Sequence, residues 1–282
     1  MNRPTPRTAT DRSAIESGTD AGCERARDEG PEPWVVCRDV SRHFGSGANR
    51  IVAVDEVCVC VAAGMRVALT GSSGSGKSTL LHLMAGLDQP TRGRVTWPGL
   101  GGTPAGRPDL VGVVFQGPSL IPDLDVFENV GLPLLFQDRS RTRPGEDRAG
   151  ANQAERGDPV AEAMERVGIA ELGDKLPEEL SGGQAQRVAV ARVLVARPTV
   201  ILADEPTGQL DRETGRLVVS VLLDAATELG AALVVATHDL RVAERLTEQW
   251  HMHDGRLVTT QAAPAHDRGA ATSPGRNSGA RR

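Results

Sequence analysis

The chain has 282 residues, of which 39% are apolar and 24% are charged, and this composition is ordinary for a globular protein. Its formal net charge of −5 argues against a surface that follows nucleic-acid phosphates, because such proteins usually carry a basic surplus. The sequence also has no apolar run of about 20 residues that could span a bilayer, and its first residues carry scattered charges where a secretory signal would be apolar.

Predicted strands and helices fill the middle of the chain. Residues 1–33 and 261–282 are rich in Thr, Ser, Gly, Pro and mixed charges, which predicts disordered tails on either side of one domain at 34–260. Strands are predicted at 34–37, 51–61, 66–70, 94–97, 111–115, 200–203 and 233–237. The last three are short apolar runs with little alternation, typical of parallel strands buried on both faces. The pattern predicts an α/β core.

A helical region lies between these groups of strands. It extends from about residue 119 to 185 and includes Val160, Ala163, Met164 and Val167 at the spacing of one helix face. Within it, residues 138–158 are polar, contain Pro and Gly, and have no apolar period. We therefore predict a helical subdomain that carries a flexible insertion.

A glycine-rich turn follows the third predicted strand and precedes an apolar helix. The sequence of this turn matches the pattern G-x-x-x-x-G-K-[ST]. In loops with this pattern, the backbone amides wrap a β-phosphate. Lys77, one of only two lysines in the chain, is expected to hold the β and γ oxygens, and the Ser78 hydroxyl is expected to bind Mg2+. The nucleotide-binding residues predicted here are Gly71, Ser72, Ser73, Gly74, Ser75, Gly76, Lys77, Ser78 and Thr79.

Two carboxylates end the buried strand that begins at Val200, and this arrangement is costly unless a cation or a proton transfer uses it. Asp204 is expected to hold Mg2+ through water, and Glu205 to polarise the water that attacks the γ-phosphate. His238 ends the next strand and is expected to reach the γ-phosphate and fix the geometry of that water. Lys77, Glu205 and His238 are therefore the predicted catalytic residues.

A second glycine-rich turn, Leu180-Ser181-Gly182-Gly183-Gln184, precedes another helix. Ser181 can cap that helix, and the two glycines let a bulky anion approach the amides at its N-terminus. This turn is therefore a second predicted phosphate site. Because one chain has only one triphosphate cradle, the second site is expected to serve the nucleotide of a partner subunit.

The order of these motifs resembles that of the ATP-binding cassette (ABC) ATPases of ABC transporters. The resemblance covers about residues 34–260 and also rests on Phe115-Gln116, Val200 to Glu205, Gly208-Gln209-Leu210-Asp211 and Thr237-His238-Asp239. It implies a P-loop NTPase with a RecA-like parallel-sheet core, an antiparallel β subdomain and a helical subdomain. It further implies a head-to-tail dimer closed on two ATP molecules, each between one subunit's phosphate loop and the other's Leu180–Gln184.

Several residue roles come from this resemblance alone. Phe44 would stack on adenine, where the family usually has tyrosine, and Gln209 replaces a more frequent asparagine. Gln116 would bind Mg2+ and couple to the transmembrane partner, and Asp211 would contact the opposite nucleotide site. The γ-phosphate of the partner's ATP would be met by Ser181, Gly182, Gly183 and Gln184.

Three segments, Gly86–Thr91, Glu128–Leu134 and Ala203–Gly208, are similar to the lipoprotein-release and macrolide-export branch of the family. The resemblance implies an ATPase that drives a separate membrane permease, as part of an exporter or release system. The expected partners are that permease and a second ATPase subunit, most simply an identical one, with no direct nucleic-acid contact. The expected location is cytoplasmic, at the inner face of the cell membrane, with membrane contact through the permease.

Two other readings compete with a transport ATPase. One is a soluble ABC ATPase that acts on the ribosome or on DNA. Translation factors of that kind carry two cassettes, and DNA-repair relatives insert long coiled coils, whereas this sequence has one cassette and a helical region of moderate length. The other is a regulatory subunit that does not hydrolyse ATP, which the intact Glu205 disfavours.

Overall fold

The computed structural model describes residues 32–137, 158–208 and 210–262. The predicted insertion, apart from Asp158, and nearly all of both predicted tails lie outside the described residues. Gln209 lies outside them as well.

The described residues form nine strands and six α-helices. The strands are β1 (Val35–Phe44), β2 (Ile51–Val61), β3 (Arg66–Thr70), β4 (Arg92–Thr96), β5 (Val111–Val114), β6 (Val200–Asp204), β7 (Ala232–Ala236), β8 (Glu248–His253) and β9 (Arg256–Ala262). The helices are α1 (Lys77–Met84), α2 (Val126–Gly131), α3 (Pro159–Arg166), α4 (Gly182–Leu194), α5 (Arg212–Glu228) and α6 (Leu240–Ala243).

A six-stranded sheet in the order β5-β6-β7-β3-β8-β9 forms the core. The first five strands are parallel, and β9 returns antiparallel along β8. Every residue of β6 and β7 is buried, as expected for strands covered on both faces. The predicted α/β core is therefore confirmed. Because its strands are parallel, the residues that follow β3, β5, β6 and β7 meet at one edge of the sheet.

The antiparallel sheet has the order β2-β1-β4. β1 continues to Phe44, well beyond the predicted end at Cys37. The prediction stopped early because a bulge interrupts the apolar alternation of the strand. Asp39 lies in this bulge with φ of 50°, and Glu56 on β2 has the same value. The irregular pairing continues to the end of β1, where Phe44 pairs with Ile51.

The helical subdomain packs on α4. Val160, Ala163, Met164 and Val167 are all buried in one apolar cluster with α4, in line with their spacing in the sequence. The turn before α2 is fixed by the fully buried Asn129, whose amide donates to the carbonyls of Ile121, Leu124 and Asp125. Within the described residues, no helix is long and apolar enough to cross a membrane.

The sequence did not predict β8 and β9. β8 alternates between a buried face with Trp250 and Met252 and an exposed face with His251 and His253. β9 reaches Ala262, which extends the ordered fold two residues beyond the predicted end of the domain at 260.

Candidate active site

The phosphate loop joins β3 to α1, with Gly76 as the N-cap of the helix. Gly76 has φ of 101°, and a Cβ atom there would lie 2.1 Å from the carbonyl oxygen of Ala53. Only glycine fits this close approach between the loop and β2. The next residue, Lys77, is 6% exposed and donates from Nζ to the carbonyls of Gly71 at 2.9 Å and Ser72 at 3.0 Å. Its ammonium has a third donor for a ligand oxygen.

The two predicted carboxylates lie at the end of β6. Asp204 is 4% exposed, and its Oδ1 is buried without a hydrogen-bond partner in the described ranges. Glu205 follows with φ of 44°, in the left-handed region that costs a side-chain-bearing residue about 1–2 kcal/mol. Its amide donates to the carbonyl of Ala236 on β7, which fixes the turn. Buried, unpaired carboxylate oxygens on a strained turn are suited to a cation or to proton transfer.

His238 faces Glu205 across the edge of the sheet. Its Nδ1 lies 2.9 Å from Oε2 of Glu205, but the pair lacks hydrogen-bond geometry, and Oε2 has no other partner among the described residues. The imidazole is 69% exposed, whereas the Glu205 side chain is 13% exposed. Glu205, the predicted base, is therefore mostly buried, whereas the neighbouring His238 is exposed and can reach a ligand.

These groups surround a cleft of about 550 Å³, a size suited to a nucleotide. It is lined by Ile51, Val52, Ala53, Ser73, Gly74, Gly76, Lys77, Ser78, Thr79, Gln116, Glu205, Gly208 and His238. The structure thus brings together most of the phosphate loop, the predicted base and Gln116. Gly71, Ser72, Ser75 and Asp204 lie behind this lining, in the loop and in β6.

Phe44 lies beside this cleft without lining it, next to its strand partner Ile51. Its ring is 42% exposed, and the guanidinium of Arg42 lies 4.6 Å from the ring centroid. Arg42 is held by Asp88, whose Oδ2 accepts from Nε at 2.8 Å. This cation–π contact covers one face of Phe44 and leaves part of the ring exposed.

The second glycine-rich turn begins α4. Ser181 is the N-cap, and a reciprocal capping box joins it to Gln184: the Ser181 amide donates to Oε1 of Gln184 at 2.9 Å, and Oγ of Ser181 accepts from the Gln184 amide at 3.3 Å. Open space surrounds the Cα of Gly182, while Gly183 faces Leu210 at van der Waals distance. None of the four predicted phosphate-binding residues of this turn lines the nucleotide cleft.

Asp211 also lies outside the nucleotide cleft, at the N-cap of α5. Its carboxylate accepts from the amides of Glu213 at 2.9 Å and Thr214 at 3.0 Å. Hydrogen bonds from Thr214 hold the pKa of this carboxyl below its usual range. The residue therefore has an observed structural role as a cap.

Two polar residues of α4 were not predicted as part of the site. Gln186, 4% exposed, donates to the carbonyl of Phe115, and Arg192 donates to the carbonyls of Pro118 and Ser119 at 3.0 and 2.9 Å. Burial lowers the pKa of Arg192. These side chains hold the segment around Gln116 against the helix that begins at Ser181. Their position among the buried apolar residues of α4 was the available signal.

Comparison with known proteins decides the family. A model described as ABC transporter matches residues 54–208, which is more than half of the chain. This chain belongs to the ABC transporter family. It is 40% identical over 228 residues to the lipoprotein-releasing system ATP-binding protein LolD of Acinetobacter baylyi, covering 78% of this chain and 95% of LolD.

Solved structures of the family have the same fold. The dimeric ATP-binding cassette MJ0796, bound to ADP and Pi in a post-hydrolysis state, matches with a TM-score of 0.71 and 34% identity, over 82% of this chain and all of that one. The cbiO1 protein of Clostridium perfringens, part of an ABC transporter complex, matches with a TM-score of 0.65 and 26% identity, over 82% of this chain and 89% of that one. The predicted fold is confirmed, and this ABC ATPase is the ATP-binding and ATP-hydrolysing subunit of a transport system.

Proposed function

We propose that this ABC ATPase closes as a head-to-tail dimer on two ATP molecules and thereby drives a separate membrane permease. One observation carries the proposal: Ser181–Gln184 presents amides at a helix N-terminus but does not line the nucleotide cleft of its own chain. A phosphate site that its own chain cannot use is suited to the nucleotide of a second subunit. The relative MJ0796, whose solved structure is dimeric and bound to ADP and Pi, supports a dimer.

Within each cleft, the proposed chemistry is attack of water on the γ-phosphate. Glu205 takes the proton of the attacking water, because its Oε2 is buried without a hydrogen-bond partner. His238, whose Nδ1 lies 2.9 Å from Oε2 of Glu205, orients the water and contacts the γ-phosphate. Lys77 contributes its third ammonium donor to the β and γ oxygens, and its two carbonyl contacts fix its direction.

Mg2+ fits the residues on this side of the cleft. The unpartnered, buried Oδ1 of Asp204 calls for a cation or a bound water, and Ser78 and Gln116 offer further oxygens on the cleft wall. The described residues contain no cluster of three or more His, Cys, Asp and Glu that could hold a metal by themselves. Ser78, Gln116 and Asp204 would therefore hold Mg2+ together with phosphate oxygens, where it would neutralise charge that develops on the phosphates.

Two further roles complete the proposed site. The exposed part of the Phe44 ring stacks on adenine, and the lost tyrosine hydroxyl matters little because stacking uses the ring. Asp211, fixed as the N-cap of α5, contacts the nucleotide site of the opposite subunit. It ends the loop whose residues Glu205 and Gly208 line the nucleotide cleft of its own chain.

The proposed transport system is an exporter or release system, because the chain is similar to LolD, which is named as part of a lipoprotein-releasing system. Leu135 and Phe136 are 78% and 61% exposed beside each other in the helical subdomain, which suits contact with a membrane partner. The chain would then lie at the cytoplasmic face of the membrane, bound to its permease. The ribosome- or DNA-associated alternative has no comparable support.

Co-purification tests this proposal. The tagged chain is co-expressed with candidate permeases from neighbouring genes and purified in detergent, with Phe136→Asp as a variant and Val258→Asp, at an exposed apolar residue of β9, as a surface control. We expect a permease to co-elute with the wild type and with Val258→Asp but not with Phe136→Asp. Retention on ribosomes or DNA, without any membrane protein, would favour the alternative.

A further inference from the structure

A second cleft, of about 510 Å³, lies behind the wall of the nucleotide cleft. The two clefts share that wall, because neighbouring residues of the same loops line one cleft each. Thr207 lines the second cleft and Gly208 the first, and Asp239 lines the second and His238 the first.

Arginine dominates the second cleft. It is lined by Arg212, Arg216, Arg241 and Arg245, against the carboxylates of Asp211 and Asp239. One of these arginines is neutralised: Arg241 donates from Nε and Nη2 to the two carboxylate oxygens of Asp239, at 3.1 and 2.9 Å. That contact also holds the pKa of Asp239 below its usual range.

The other three arginines have no carboxylate partner within the part of the chain that the structure describes. Arg245 donates only to neutral oxygens, the carbonyl of Arg216 at 3.4 Å and the hydroxyl of Ser220 at 3.0 Å. Among the described residues, the guanidinium groups of Arg212 and Arg216 contact no acceptor at all. With four arginines against two aspartates in its lining, the cleft has an excess of positive charge, and Asp211 uses one carboxylate oxygen to cap α5.

We propose that this cleft is a second oxyanion site, and that it takes inorganic phosphate. Guanidinium groups bind tetrahedral oxyanions through paired, charge-assisted hydrogen bonds, and three of them around one small cleft can surround a phosphate ion. Phosphate is also the anion that ATP hydrolysis releases on the other side of the shared wall. The site would receive the product of each turnover and bridge α5 to α6 across the cleft.

Phosphate binding can be measured separately from turnover. The protein is first saturated with Mg2+ and a non-hydrolysable ATP analogue, so that the phosphate loop is filled. Inorganic phosphate is then titrated at constant ionic strength by calorimetry and 31P NMR. We expect one phosphate per chain for the wild type, and binding weaker by about tenfold or more for the double variant Arg216→Gln/Arg245→Gln, which loses two charged donors. Arg94→Gln, an exposed arginine on β4, is the matched control and should bind as the wild type does.

Absence of phosphate binding in the wild type would overturn the proposal, as would equal binding in the double variant. Phosphatidylglycerol vesicles form the second arm of the test. Vesicle binding that depends on Arg216 and Arg245, without binding of free phosphate, would assign the site to a lipid headgroup and also overturn it. Because no arm requires turnover or a permease, failure here leaves the proposed transport function untouched.

Discussion

At the scale of single residues, Gly76 carries the tightest steric constraint in the phosphate loop. It brings the loop against β2, where the carbonyl oxygen of Ala53 would lie 2.1 Å from an added Cβ. Because the atom nearest to the added Cβ is a backbone oxygen, a change of side-chain rotamer cannot relieve the clash, and the backbone itself would have to move. The position of Lys77, one residue later, depends on the same geometry.

Gly76→Ala should therefore weaken ATP binding by at least about tenfold, because the loop must move away from β2 and carries Lys77 with it. Gly64→Ala is the matched control: Gly64 also has a positive φ, of 71°, but has nothing within 4 Å of an added Cβ. Calorimetric titration with ATP compares the two. Undiminished affinity in Gly76→Ala would show that the loop tolerates this displacement.

The sequence located the residues that lie at fixed offsets within a local motif, such as Lys77 and Ser78 in the phosphate loop. It could not show the support around Phe44, because Arg42 lies on β1 and its partner Asp88 follows α1, 46 residues later. Such a contact depends on how two elements pack. No local pattern encodes it.

At the scale of elements, α4 joins two parts of the site. Its N-terminus is the Ser181 turn, and its buried side chains Gln186 and Arg192 hold the segment that carries Gln116. A rigid helix of this length transmits a displacement at one end to the contacts along its side. The proposed contact with a partner's nucleotide at Ser181 would thus be mechanically linked to Gln116.

Ser181→Asp should leave the fold intact and abolish ATP-driven dimerisation. Aspartate caps a helix as well as serine does, so thermal stability should change little. Its negative charge, however, would face the γ-phosphate of the partner subunit. Light scattering with ATP measures dimerisation, and Ser181→Asn, a neutral cap, is the control. Dimerisation of Ser181→Asp at wild-type ATP concentrations would remove this turn from the proposed interface.

Arg192→Gln tests the link along α4. Its shorter, uncharged amide cannot replace the two charge-assisted hydrogen bonds that the guanidinium donates to the carbonyls of Pro118 and Ser119. We expect kcat to fall by about tenfold with little change in the KM for ATP, since Gln116 loses its position while the phosphate loop is untouched. A change in KM alone, at constant kcat, would contradict the linkage.

Elements differed in how well the sequence predicted them. The apolar runs of β6 and β7 and the helix after Ser181 were predictable, since burial on both faces and capping leave local patterns. β1 was predicted short because the bulge at Asp39 breaks its alternation. β8 was missed because only two apolar residues, Trp250 and Met252, mark its buried face, which leaves a weak alternating pattern.

At the scale of the whole molecule, one chain contains a phosphate loop and a second glycine-rich turn, the proposed second phosphate site, that does not line the same cleft. Half of each proposed composite site is therefore missing from a monomer. ATP would complete both sites at once when two chains meet head to tail. Hydrolysis by Glu205 would remove the γ-phosphate that holds them together.

The most direct test is the mass of the Glu205→Gln variant in solution, measured by multi-angle light scattering. This variant should bind ATP but lose turnover by about a hundredfold or more, so that the closed state accumulates. We expect the mass of one chain, 29.7 kDa, with ADP, and twice that mass with Mg2+ and ATP. A mass that stays at 29.7 kDa when calorimetry shows ATP to be bound would contradict the proposed two-chain ATPase.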